Sequence, residues 1–92
     1  MNTPLLKTKI TPLLKKHGVR RAALFGSSIE KHNKPNDIDI LIELDRRVSL
    51  LGLVNLKRRL EEILHYKVDL VEYGSLKPSL EKDILKTQER LF

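Results

Sequence analysis

Apolar residues recur at helical spacing through Leu5, Leu6, Ile10, Leu13 and Leu14, and this periodicity predicts an opening helix. Thr3-Pro4 starts it, with Thr as N-cap and Pro in the first turn, and it runs to Lys16. Pro12 cannot donate to the preceding turn, which leaves two readings, one kinked helix or a second short one beginning at Thr11-Pro12. His17-Gly18 ends the segment, and Val19 to Phe25 reads as the first strand.

The next pattern is a strict alternation. In Asp37-Ile38-Asp39-Ile40-Leu41-Ile42-Glu43, a two-residue period places Asp37, Asp39, Leu41 and Glu43 on one strand face and the three isoleucines on the other. The isoleucines then anchor the strand in a core. Between the two strands, Ser27 to Lys31 reads as a turn of helix and His32 to Asn36 as a polar loop. Ser49 is placed to cap a helix whose Leu50, Leu53, Val54, Leu56, Leu60, Ile63 and Leu64 fall mostly on one face, with Lys57, Arg58, Arg59, Glu61 and Glu62 on the other. A third strand, Lys67 to Glu72, is bounded by Tyr73-Gly74-Ser75. Pro78 opens a last helix in which Leu80, Ile84, Leu85 and Leu91 form an apolar stripe that closes the core or docks on a partner chain. The order helix, strand, strand, helix, strand, helix predicts an α/β or α+β fold, one sheet packed by helices. Residues 1–92 read as a single domain without repeat, linker or low-complexity segment.

Composition narrows the functional classes. Of the 92 residues, 40% are hydrophobic and 33% charged, as expected of a globular domain, and no segment reaches the roughly 20 apolar residues of a membrane span. Met1 to Thr11 contains Pro4, Lys7 and Lys9 in place of the apolar centre of a secretory signal, so the cytoplasm is the expected compartment. Without cysteine there is no disulfide or thiolate site, and a metal would be held by oxygen donors or by His17, His32 and His65. The net charge of +6 attracts nucleotides, nucleic acid or an acidic protein surface. With two Phe, two Tyr and no Trp, stacking platforms are few and direct nucleic-acid binding is disfavoured.

The candidate chemistry lies on the alternating strand. Two residues of strand rise separate the Cα atoms of Asp37 and Asp39 by about 6 to 7 Å, a spacing from which both carboxylates reach one or two divalent cations, with Mg²⁺ favoured. Leu24-Phe25-Gly26-Ser27 precedes them, a strand ending in a turn whose backbone N–H groups and hydroxyl suit phosphate oxygens. Asp69, between Val68 and Leu70 in the third strand, completes a triad: buried there it would need a cation or partner. It would then help deprotonate an acceptor hydroxyl or bind a second cation.

Each residue also has a plainer explanation. An Asp at a strand entry caps a backbone N–H, Asp69 faces outward on a half-exposed strand, Gly26 serves a turn needing positive φ, and Ser27 caps a short helix. His32 and Lys34 are equally well solvated loop residues, and Glu43 lies too far along the strand for direct metal contact. Neither a glycine-rich loop ending in Gly-Lys-Ser or Gly-Lys-Thr nor a Gly-x-Ser-x-Gly elbow is present.

Phe25-Gly26-Ser27, followed after nine residues by Asp37-Ile38-Asp39-Ile40, resembles the signature of the minimal nucleotidyltransferase family within the DNA polymerase β superfamily. The resemblance extends from the leading helix to the closing one. It implies a small nucleotidyltransferase fold, a mixed three- to four-stranded sheet packed by helices. It also implies Mg²⁺-dependent transfer of a nucleoside monophosphate from an NTP to an acceptor. Asp37, Asp39 and Asp69 would be the metal-binding and catalytic carboxylates, and Gly26 and Ser27 would contact the nucleotide phosphates. Small stand-alone members act as antitoxins that use ATP to add AMP to a tyrosine of a HEPN ribonuclease toxin, so a HEPN partner is implied, in a homo- or hetero-oligomer. One departure stands out: where many members follow Gly-Ser with a small residue, Arg and Gly, this chain has Ser28-Ile29-Glu30-Lys31. An acidic residue there weakens triphosphate binding unless Lys31 or Lys34 compensates. That departure keeps a non-catalytic antitoxin, which neutralises its partner by covering it, as the alternative. Addition of nucleotides to RNA is supported by the basic charge alone.

Overall fold

Alternation on the Asp37 strand sets the layering of the whole molecule. The computed structural model describes residues 3–25 and 37–92. Its elements are α1 (Thr3–Lys16), β1 (Val19–Phe25), β2 (Asp37–Leu44), α2 (Leu50–Leu64), β3 (Lys67–Glu72), a short 3-10 helix (Tyr73–Ser75), α3 (Pro78–Thr87) and β4 (Glu89–Arg90). The four strands form one mixed sheet in the order β3-β2-β1-β4, with β1 antiparallel to β2 and to β4, and β2 parallel to β3. This is the α+β arrangement the element order predicts, a mixed sheet packed by helices. A parallel neighbour requires a crossover, and α2 supplies it.

Ile38, Ile40 and Ile42 are fully buried and share one core with Leu6, Ile10 and Leu14 of α1 and Leu56 and Leu60 of α2. The spacing of four between the three α1 residues keeps them on one helical face. Pro12 lies inside a single continuous α1, which decides between the two readings of that segment. Gly18 turns the chain into β1 with φ +86°, and its carbonyl accepts from the Asp45 N–H at 2.8 Å. A Cβ at Gly18 would stand 2.6 Å from Val48 Cγ2, so the turn is closed to larger residues by both conformation and space. Ser49 caps α2 as expected, its hydroxyl accepting from the Gly52 N–H at 3.1 Å.

Two expectations are corrected. Leu91 does not continue a stripe on the last helix. α3 ends at Thr87, and the chain turns into β4, from which the Leu91 N–H donates to the Ala22 carbonyl at 2.8 Å. Its side chain is fully buried in the core formed by α1, α2 and the sheet, so it closes the core as a strand extension. On α2, only Leu56 and Leu60 are buried, while Leu50, Val54 and Ile63 are exposed. The helix is therefore anchored by a narrower stripe than its apolar composition suggests.

Candidate active site

The face of the sheet opposite α1 and α2 carries the polar half of the alternation. Register fixes what meets what: Asp39 on the central strand β2 has Phe25 of β1 as its Cα partner on one side and Asp69 of β3 on the other. Directly paired residues of adjacent strands project to the same face, with strands about 4.8 Å apart. Asp39 and Asp69, thirty positions apart in sequence, thus form a pair of neighbouring carboxylates. Asp39 is half-buried between its flanking strands and Asp69 is exposed at the edge.

The route by which sequence singled out Asp69 is corrected here. It is exposed rather than buried, and its apolar neighbours Val68 and Leu70 turn to the other face, where they join the core. What recommends Asp69 is its register with Asp39. Asp37 begins β2 with Lys67 as its Cα partner, and of Asp37 only this backbone position is described. Gly26, Ser27, His32 and Lys34, with the Ser28 to Lys31 segment, lie outside the described residues. Among the described residues no group of three or more His, Cys, Asp or Glu gathers as a metal cluster. Asp39 and Asp69 nonetheless offer the hard oxygen donors that suit Mg²⁺.

Several contacts hold this geometry. The Glu61 carboxylate of α2 accepts from the Val68 N–H at 3.0 Å, which ties the crossover helix to β3 between Lys67 and Asp69. His65, in the left-handed conformation at φ 59°, closes α2 by donating its N–H to the Glu61 carbonyl at 2.9 Å. Farther along the same sheet face, Arg21 Nε donates to Glu43 Oε2 at 2.8 Å while its guanidinium lies 4.0 Å over the Tyr73 ring. The Tyr73 hydroxyl donates to Gln88 Oε1 at 3.0 Å. Burial pushes the Tyr73 phenol above its ordinary value of 10.0, against the opposing pull of Arg21 and Arg90. This cluster fastens the segment after β3 and the end of α3 to β1 and β2, and Glu43 is engaged there, away from the Asp pair. A recess of about 180 Å³ lined by Leu5, Leu6, Lys9, Ile63, Leu64, His65 and Tyr66 involves α1 and the end of α2, on the helical side of the sheet.

A carboxylate pair on one face of a mixed sheet is a motif many folds can present, so the family decides its meaning. The polymerase β nucleotidyltransferase family matches residues 8–92. The chain belongs to that family. This nucleotidyltransferase is 49% identical over 86 residues to a Methanocaldococcus jannaschii protein provisionally named protein adenylyltransferase MJ0435, an alignment covering 92% of each chain. Among solved structures, it resembles a provisionally named minimal nucleotidyltransferase with a TM-score of 0.78 and 28% identity, over 92% of this chain and 88% of that one. It also resembles a chain of the complex of a tri-AMPylated Shewanella oneidensis HEPN toxin with an MNT antitoxin, with a TM-score of 0.73 and 25% identity, over 97% and 71% of the two chains. Among the described residues no helix is long and apolar enough to cross a membrane.

Sequence reasoning passed over one residue of this face. Lys67 lies two positions before Asp69, hence on the same side of β3. The signal was available in the alternation Lys67, Asp69, Val71, but only the parallel register with β2 sets it beside the Asp37 position.

Proposed function

We propose that this nucleotidyltransferase transfers AMP from ATP to a tyrosine hydroxyl of a HEPN-type toxin and thereby acts as its antitoxin. The observation that carries the reading is the register of Asp39 with Asp69 on one face of the sheet, and the chain's likeness to a protein adenylyltransferase and to a chain of a complex of an AMPylated HEPN toxin with an MNT antitoxin supports it. In this reading residues 1–92 form one minimal catalytic domain working in the cytoplasm. Asp37, Asp39 and Asp69 hold Mg²⁺, which when bound offsets the charge of the triphosphate. Gly26 and Ser27 contact the phosphates.

The reaction asks little covalent chemistry of the protein. The acceptor oxygen attacks the α-phosphorus, a new phosphorus–oxygen bond forms to AMP, and the bond to the departing pyrophosphate breaks. The hydroxyl proton must leave as its oxygen attacks, and in this reading Asp69 accepts it, a role supported by its exposure and its register with Asp39. Positioning and charge stabilisation supply most of the acceleration, as in phosphoryl transfer generally.

The test is transfer of label from α-labelled ATP, with Mg²⁺, onto a purified HEPN protein encoded beside this chain. Wild type is expected to label it, and Asp39→Asn to lose about 100-fold or more in rate with its fold retained. A tight complex that protects against the toxin with no label on it would replace this reading with that of a non-catalytic antitoxin.

A further inference from the structure

Resting on the proposed use of ATP, we infer that Lys67 is a phosphate-contacting residue of the nucleotide site. It opens β3 as the Cα partner of Asp37 and precedes Asp69 by two positions, so it shares their strand ends and the face of Asp69. Its Cα lies about 6 to 7 Å along the strand from that of Asp69 and about one strand spacing from that of Asp37. Lys67 is exposed, and the salt bridge of Arg21 with Glu43 does not involve it. Its ammonium, on a flexible four-carbon stem with three donors, has the reach to meet a phosphate oxygen at these strand ends.

Charge gives the residue its task. Asp39 and Asp69 already set two acidic side chains side by side, and a triphosphate brings more negative charge to the same face. A fixed cation at the rim offsets that repulsion and donates charge-assisted hydrogen bonds to phosphate oxygens. The competing explanation is that β3 is an edge strand, where an exposed lysine discourages another strand from pairing. An edge guard has no part in nucleotide affinity, and this separates the two.

The experiment is calorimetric titration of ATP with Mg²⁺, and separately of adenosine, into wild type, Lys67→Ala and Lys67→Arg, with urea denaturation of each. The expected result is an ATP Kd raised about tenfold in Lys67→Ala, largely restored in Lys67→Arg, with adenosine affinity and stability unchanged. An unchanged ATP Kd in Lys67→Ala would overturn the assignment while leaving AMP transfer standing. Equal losses for ATP and adenosine would also overturn it, by showing a disturbed pocket rather than a lost phosphate contact. Wild type that binds ATP in a Lys67-dependent way but labels no partner would sink the AMP-transfer reading and keep the contact.

Discussion

Truncating Leu91 to alanine probes the least expected part of the architecture, the return of the segment after α3 into the core. The leucine is fully enclosed among side chains of the core, and Leu→Ala at such sites costs about 2.7 to 5 kcal/mol, the spread reflecting how far the cavity collapses. Leu91 follows a two-residue strand at the edge of the sheet, and so short an edge element relaxes more readily than a strand interior. The lower part of that range, about 3 kcal/mol, is therefore expected. A chain of this length has a total stability of roughly 5 to 14 kcal/mol, so the substitution removes a large share of it. The melting temperature should fall by about 12 to 24 °C. Urea denaturation followed by circular dichroism measures the change, with Leu85→Ala on the partly exposed face of α3 as the control, expected to cost under about 1 kcal/mol. In sheet order, β4 lies beyond β1 from the β2–β3 site, so ATP affinity of the folded variant should match wild type. A Leu91→Ala protein within 1 kcal/mol of wild type, or no less stable than Leu85→Ala, would refute insertion of Leu91 into the core.

Two further outcomes test the supporting contacts. Gly18→Ala combines a positive φ with a Cβ contact to Val48 and should cost roughly 2 to 4 kcal/mol in urea denaturation; adding Val48→Ala should recover part of the loss, and a full additive loss would rule out the clash. Burial raises the Tyr73 pKa in the folded protein above its unfolded value. Its neutral form therefore contributes stability that is fully present below about pH 10 and is lost as pH rises through the higher folded value. Tyr73→Phe should remove this part of the alkaline decline and, by losing the bond to Gln88, cost about 0.5 to 1.5 kcal/mol at neutral pH; identical pH–stability curves for the two proteins would contradict the burial argument.

Strand periodicity made the layering legible before any coordinates. The limits of β1 and β3, the start of β2 and the Ser49 cap were readable because alternation, glycine and a capping hydroxyl act locally. Leu91 was not, because it follows Ile84 by seven residues and so continues a helical period, while Gln88 carries no glycine or proline to announce the break. A two-residue strand is specified by its partner, here Ala23 and Leu24 of β1, and leaves almost no trace in its own sequence. The exposed Leu50 and Val54 show the converse: their apolar character is visible in sequence, but whether a surface arrives to cover them is decided by tertiary packing. The site divides in the same way. The Asp37 and Asp39 spacing is local, whereas the pairing of Asp39 with Asp69, and the place of Lys67 beside it, depends on register across the α2 crossover, which no single segment encodes.

The alternation of β2 also separates what the protein inherits as a body from what it inherits as a reaction. Ile38, Ile40 and Ile42 answer to the core, and Asp39 between them answers to the chemistry. A lineage can exchange its acidic residues on the open face without disturbing a single core contact of those isoleucines. A relative with the same sheet but an altered residue opposite Phe25 would therefore keep its fold after its reaction had gone.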